Sequence, residues 1–238
     1  MDVFWLEQSE ADVPAENEWL SQPEMLHLDS LRFARRRADW RLGRWTAKLA
    51  IAAFLDLPVE RQLAEIEIRA SSSGAPEAFL LRQPARVSIS LSHRSGIALC
   101  AVAPEGTSLG CDLELIEPRS EAFISDYFTA QEQCLVEQTS PADRELLVSL
   151  LWSAKESVLK ALREGLRLDT RSVEVNVAGG FEQYADGWHP LRVTHDKTRP
   201  FYGWWRRSDG MVRTIVSTVP RNAPRMLVCE RTLAADSR

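Results

Sequence analysis

Cysteine is sparse in this 238-residue chain, and its four cysteines are far apart. Cys100, Cys111, Cys134 and Cys229 contain no CxxC pair, which predicts reduced thiols and argues against a structural zinc site. His27, His189 and His195 show no metal-ligand spacing among them. No apolar run approaches the ~20 residues of a membrane-spanning helix. The opening residues, MDVFWLEQSEADV, are acidic and lack an apolar segment, so no secretory leader is expected there. Basic charge is not in excess: 29 Lys and Arg against 34 Asp and Glu give a formal net charge of −5. That balance argues against general nucleic-acid affinity but leaves room for a local basic site. There is no GxSxG nucleophile elbow, no long low-complexity linker and no direct repeat evident along the chain. A cytoplasmic protein without nucleic-acid or membrane partners is the expectation.

A hydrophobic content of 45% and a charged content of 26% are those of a globular protein. The length suffices for one large domain or two small ones. Met25 to Leu57 has few breakers before Pro58 and predicts a largely helical stretch, with Asp29 or Ser30 as a cap. Short strands are expected at AEIEIRA (64–70), ARVSISLSH (85–93), IALCAVA (97–103) and LGCDLEL (109–115). Helices should follow from Thr129 and from Arg144 to Leu166. RPFYGWWRR and MVRTIVSTV, joined by SDG, predict a hairpin. The order, helix then strands and again helices then strands, predicts an α+β chain of two similar halves with a seam near APEGT.

LGCDLE raises the chemical question. Residues two apart on a strand share a face, so Asp112 and Glu114 point the same way and repel. Something positive has to stand near them. LLWSAKESVLKALREGLRLD supplies Glu156 and Lys160, four apart on one helix face, with Trp152 a turn before. Taken alone, Glu156 and Lys160 read as an ordinary helical ion pair. With Asp112 and Glu114, Glu156 completes three carboxylates suited to one hard cation such as magnesium, which takes oxygen ligands at about 2.0–2.1 Å and keeps positions for phosphates. Lys160 would then meet a phosphate.

Other charges carry two readings each. Arg37, Arg41, Arg44 and Lys48 fall at steps of four, three and four, a basic stripe that is either a solvated helix face or a phosphate grip. Ser92 and His93 are strand neighbours facing opposite ways, so they are no nucleophile–base pair; His93 could donate to a phosphate oxygen. Glu132 ends TAQE (129–132), a capping box or a catalytic acid.

Together, GR…AK.A (43–50), SLSHRSG (90–96), LGCDLE (109–114) and LWSAKESVLKALREGL (151–166) resemble the phosphopantetheinyl transferases. The likeness is to the larger monomeric type, that of the surfactin-synthetase-activating enzyme, and spans roughly residues 30 to 180. It implies a pseudo-dimer of two α+β subdomains, here 1–106 and 107–238, with the active site in the cleft between them. It implies Mg-dependent transfer of phosphopantetheine from coenzyme A to a serine of an apo acyl, peptidyl or aryl carrier protein, releasing adenosine 3′,5′-bisphosphate.

Carried over by position, Asp112, Glu114 and Glu156 match magnesium ligands, and Lys160 the lysine near the transferred phosphate. Ser92 and His93 match coenzyme contacts, and Glu132 a glutamate proposed as base. The helix with Arg37, Arg41, Arg44 and Lys48 corresponds only regionally to the grip on the coenzyme's 3′-phosphate end. Two departures stand out: Ala75 lies where a basic residue is common, and Arg94 where a small one is usual. The rival readings are a module that binds coenzyme A or a carrier without transfer, and a metal-dependent nuclease. The nuclease pattern usually places its second acid and lysine two apart on a strand, not four apart on a helix.

Overall fold

The computed structural model describes residues 2–58, 63–177, 187–196, 199–219 and 222–228. Cys229 lies outside them; Cys100, Cys111 and Cys134 are free thiols. The strands are β1 (Phe4–Ser9), β2 (Ile66–Ala70), β3 (Pro76–Leu80), β4 (Gln83–Pro84), β5 (Val87–Arg94), β6 (Ile97–Pro104), β7 (Leu109–Leu115), β8 (Val173–Asn176), β9 (His189–His195), β10 (Arg199–Ser208), β11 (Met211–Ser217) and β12 (Arg225–Met226). The α-helices are α1 (Gln22–Ser30), α2 (Ala34–Phe54), α3 (Glu121–Tyr127), α4 (Ala130–Gln138) and α5 (Pro141–Ala161). No helix among the described residues is long and apolar enough to cross a membrane.

The chain forms two compact units, one running to Gly106 and regaining the chain from Arg225, the other from Thr107 to Pro224. Each has its own apolar core. In the first unit, strands pair in the order β12-β1-β6-β5 beside a three-stranded β2-β3-β4 sheet. All of these pairs are antiparallel except β1 with β12. Strand β1 carries mixed polarity, FWLEQS, and owes its place to pairing with β6, Trp5 opposite Ala101.

The largely helical stretch expected from Met25 to Leu57 is two helices. Leu31 is extended at φ −77, ψ 118, and Arg37 Nη1 donates to the carbonyls of Leu28 (2.7 Å) and Leu31 (3.4 Å), closing α1 before α2 starts. Asp29 and Ser30, expected as starting caps, lie in the last turn of α1, where Ser30 Oγ donates to the His27 carbonyl (2.6 Å). The cap of α1 is Ser21, in a capping box with Glu24.

The second unit is one antiparallel sheet, β7-β11-β10-β9-β8, packed against α5. What lets α5 come so close is the absence of a side chain at Gly110: a Cβ there would lie 1.8 Å from the Ser157 carbonyl oxygen. Hydroxyls fill the same contact. Ser153 Oγ and Ser157 Oγ lie 2.9 and 2.7 Å from Thr214 Oγ1, and Ser149 Oγ donates to the Leu115 carbonyl (3.0 Å). Buried hydroxyls that satisfy one another fix the helix on the sheet without an orphaned polar group.

Candidate active site

Strand β7 turns Gly110, Asp112 and Glu114 to one face by its two-residue period, and α5 lies on that face. Helix α5 answers with Trp152, Glu156 and Lys160 at steps of four. Both carboxylates of β7 are held. Lys160 Nζ donates to Asp112 Oδ1 (2.7 Å) and to the Cys111 carbonyl (3.1 Å). Trp152 Nε1–H donates to Glu114 Oε1 (3.1 Å), while Arg119 Nη2 lies 3.2 Å from Glu114 Oε2 and 3.1 Å from Glu117. Asp112 is buried at 4% exposure, and its Oδ2 is fully enclosed.

The positive partner that two neighbouring acids demanded is Lys160. Its ammonium is held above its ordinary value: burial opposes the charge, but Asp112, the Cys111 side and Glu156 outweigh it. Glu156 is half-buried and makes no hydrogen bond or ion pair among the described residues. Burial first, then repulsion from Asp112 and Glu114, raises its carboxyl to about 6 against the pull of Lys160. The three acids therefore share one electrostatic neighbourhood.

Three carboxylate donors from a strand and a facing helix suit a hard divalent cation. As placed, no group of three or more His, Cys, Asp or Glu side chains among the described residues is gathered closely enough to hold one. The reason is visible in the contacts: Lys160 stands on Asp112, and Trp152 and Arg119 occupy the oxygens of Glu114.

Trp152 and Arg119 are site residues that the sequence did not single out in this role. Trp152 carried a signal, its step of four before Glu156. Arg119 carried none, since it sits in the segment between β7 and α3. An aromatic group, Phe123 and Tyr127 at 5.0 and 5.1 Å from the Trp152 ring, holds the indole in place, and the Arg119 guanidinium lies over Phe123 at 5.2 Å.

The remaining expected residues divide sharply. Ser92 and His93 end β5 in the first unit, opposite Leu99 and Ala98, and His93 is exposed. Within the basic stripe, Lys48 is a correction. Lys48 is fully buried, salt-bridged to Glu24 at 2.6 Å, so it does not face solvent as a phosphate grip must. Arg37 caps α1, Arg41 donates to the carbonyls of Pro14 and Ala15 (3.1 Å for the latter), and Arg44 stacks over Trp40 at 4.8 Å beside Glu24 at 3.9 Å. Burial lowers the Arg44 guanidinium below its ordinary value. The stripe fastens α1 and the segment before it onto α2.

Glu132 is corrected in the same sense. It is 2% exposed and salt-bridged to Lys155 at 2.8 Å, and it accepts backbone N–H groups of Thr129 (2.8 Å) and Val175 (2.9 Å). A proton acceptor for an incoming hydroxyl needs an accessible oxygen, which this wiring does not leave. Ala75 closes a turn, its carbonyl accepting from Ser71 N–H (2.9 Å) and bringing no charge.

Residues 108–203 match the model of the ACPS family, described as the 4′-phosphopantetheinyl transferase superfamily. The matched stretch runs from β7 through α5 into β10 and contains every residue of the carboxylate site. Among curated proteins, the chain is similar to the 4′-phosphopantetheinyl transferase HetI of Nostoc sp., 24% identical over 163 residues, covering 68% of this chain and 67% of the relative. Among solved structures it is similar to a holo-(acyl-carrier-protein) synthase from Bacillus anthracis in complex with CoA. That likeness has a TM-score of 0.38 and 19% identity, covering 44% of this chain and 95% of the other.

Proposed function

We propose that this protein transfers the phosphopantetheine group of coenzyme A to a serine hydroxyl of an apo carrier protein, releasing adenosine 3′,5′-bisphosphate. The observation that carries the reading is the pairing of the Asp112–Glu114 face with Trp152, Glu156 and Lys160, inside the stretch that matches the superfamily. The serine oxygen forms a bond to the phosphorus on the pantetheine side as the phosphorus–oxygen bond to the nucleotide breaks. The serine proton leaves to water at the site, since Glu132 as placed leaves no accessible oxygen.

Positioning and charge stabilisation are the main demands of such a transfer, so no covalent enzyme intermediate is needed. Asp112, Glu114 and Glu156 would hold magnesium, and a bound magnesium ion would supply charge neutralisation at the coenzyme's diphosphate. Lys160, freed from Asp112 by that exchange of cations, is proposed to meet phosphate oxygens. Ser92 and His93 are proposed to contact the coenzyme. The matching element order of the two units supports reading the chain as a pseudo-dimer of the larger type within the superfamily.

Incubating the protein with coenzyme A, magnesium and an apo carrier protein, then weighing the carrier, tests the activity. The carrier is expected to gain one phosphopantetheine, and Asp112→Asn is expected to abolish the gain. Binding of coenzyme A with no mass gain on any carrier in a panel would reduce the protein to a binding module.

A further inference from the structure

The buried carboxylate Glu132 has a counterpart that no catalytic argument requires. In the first unit, Glu24 stands at the third position of α1 and closes a capping box with Ser21, taking the Ser21 N–H at 3.0 Å. Its Oε1 accepts the N–H of Ile68 on β2 (3.1 Å), and its Oε2 lies 2.6 Å from Lys48 in the middle of α2. In the second unit, Glu132 closes a capping box with Thr129 at the start of α4. Its Oε1 accepts the N–H of Val175 on β8 (2.9 Å), and its Oε2 lies 2.8 Å from Lys155 in the middle of α5.

The correspondence extends to the lysines. Lys48 also donates to the carbonyls of Trp19 and Leu63 (2.9 Å each), the latter just before β2. Lys155 donates to the carbonyls of Thr170 (3.0 Å) and Val173, where β8 begins. Both lysines are 0% exposed and rest near an aromatic ring, Trp19 at 5.8 Å and Phe128 at 5.9 Å. Burial lowers both ammonium groups below their ordinary value, and the paired glutamate opposes that shift in each. The helices are alike, 21 residues each, and the lysine lies within WTAK at 45–48 and WSAK at 152–155.

We infer that Glu132 and Lys155 are a positioning pair, one of two copies of a Glu–Lys clamp that ties a helix start, the long helix and the following strand together in each unit. Neither takes part in proton transfer. The first copy shows the device working without chemistry: the positions after its lysine are Leu49 and Ala50, where the second copy has Glu156 and Ser157. In the second copy the clamp acquires a consequence. Successive helix residues are turned by about 100°, so fixing Lys155 towards Thr170 and Val173 fixes the direction in which Glu156 projects, and with it Lys160 one turn on.

This inference rests on the transferase reading only for its kinetic arm. Thermal melting and carrier modification would be measured for Glu24→Gln, Glu132→Gln, and Glu132→Gln combined with Lys155→Met. Glutamine keeps an acceptor for the strand N–H, and methionine removes the ammonium that would otherwise stay buried without its counter-charge. Glu24→Gln and Glu132→Gln are expected to lower Tm by similar amounts. Glu132→Gln is expected to slow transfer by less than about tenfold with an unmoved pH–rate profile, and the double variant to regain Tm and rate. A general base contributes roughly 10²–10⁴-fold. A loss in that range for Glu132→Gln, with unchanged Tm and no recovery in the double variant, overturns the inference. If the wild-type protein modifies no carrier, the transferase reading fails while the paired melting shifts still decide the clamp.

Discussion

Lys160 Nζ lies 2.7 Å from Asp112 Oδ1, and the pair joins the long helix of the second unit to its first strand across a face that also carries Glu114 and Glu156. A lysine there does what a bound cation would do: it allows neighbouring acids to ionise together. Removing it leaves an enclosed carboxylate facing like charge. Breaking one side of a buried pair costs about 3–5 kcal/mol, and the low end applies because the Lys160 side chain is 27% exposed. In chelator-treated protein, Lys160→Met is expected to melt several degrees below wild type, and magnesium should return more of that loss to the variant than it adds to wild type. Asp112→Asn, which leaves Lys160 without its counter-charge, should also lower Tm, and it should lose the magnesium response and lose transfer a hundredfold or more. Melting curves indifferent to magnesium in all three proteins would count against a metal at these acids.

Gly110 carries a second prediction. The Cβ of an alanine there would sit 1.8 Å from the Ser157 carbonyl oxygen and 2.9 Å from the Ala161 nitrogen, both backbone of α5. Neither can swing aside as a side-chain tip could, so the helix must lift from β7. Overpacking costs about 1–3 kcal/mol or more, and the lift would part Lys160 from Asp112. Gly110→Ala is expected to lose stability and transfer together, while Gly43→Ala, on α2 with nothing within 4 Å of its added Cβ, should be neutral or slightly stabilising. Denaturant titration of the two variants checks the contrast.

The acids of LGCDLE were legible because charge inside an apolar strand demands a reason, and the helix bearing Glu156 and Lys160 offered one at the right period. The role of Gly110 was not, because a close approach is a property of two elements and the motif shows one. The basic stripe was partly misread for the same reason. The spacing of Arg37, Arg41, Arg44 and Lys48 places them along one helix but does not show that Lys48 is buried against Glu24 and the carbonyl of Trp19. The repeat was present as WTAK and WSAK, each preceded by an S/T-x-x-E box at Ser21–Glu24 and Thr129–Glu132. It is short and discontinuous, and it becomes visible once the two lysines are seen making the same bonds.

A tight hairpin in the first unit offers a stabilising change outside the unit that bears the carboxylates. Leu80 pairs with Gln83, and the two residues between them, Leu81 and Arg82, adopt φ of 51° and 67°. Left-handed backbone costs an L-residue roughly 1–2 kcal/mol, which Asn and Gly largely avoid in a two-residue turn. Leu81 is 63% exposed, so little packing is lost with it. Leu81→Asn with Arg82→Gly is expected to raise stability by about 1–2 kcal/mol and leave carrier modification unchanged. A lower Tm for the double variant would show that the turn is held by its side chains.

Glu156 sets the pH response of the metal-free protein. Its carboxyl is raised to about 6 from an ordinary 4.5, by burial and then by Asp112 and Glu114. A carboxyl with a raised folded value favours the folded state while protonated. Its contribution is complete below pH ~4.5 and is lost as pH rises through about 6. At 1.36 kcal/mol per unit the effect is at most about 2 kcal/mol, and solvent screening of a half-buried group reduces it. Glu156→Gln cannot ionise, so its Tm should not share this decline, and the difference between variant and wild type should grow from pH 4.5 to 7 in the variant's favour. Magnesium, by stabilising the ionised carboxylate, should shrink that difference. Parallel melting profiles for the two proteins across this range, with and without magnesium, would show that Glu156 does not feel the acids of β7.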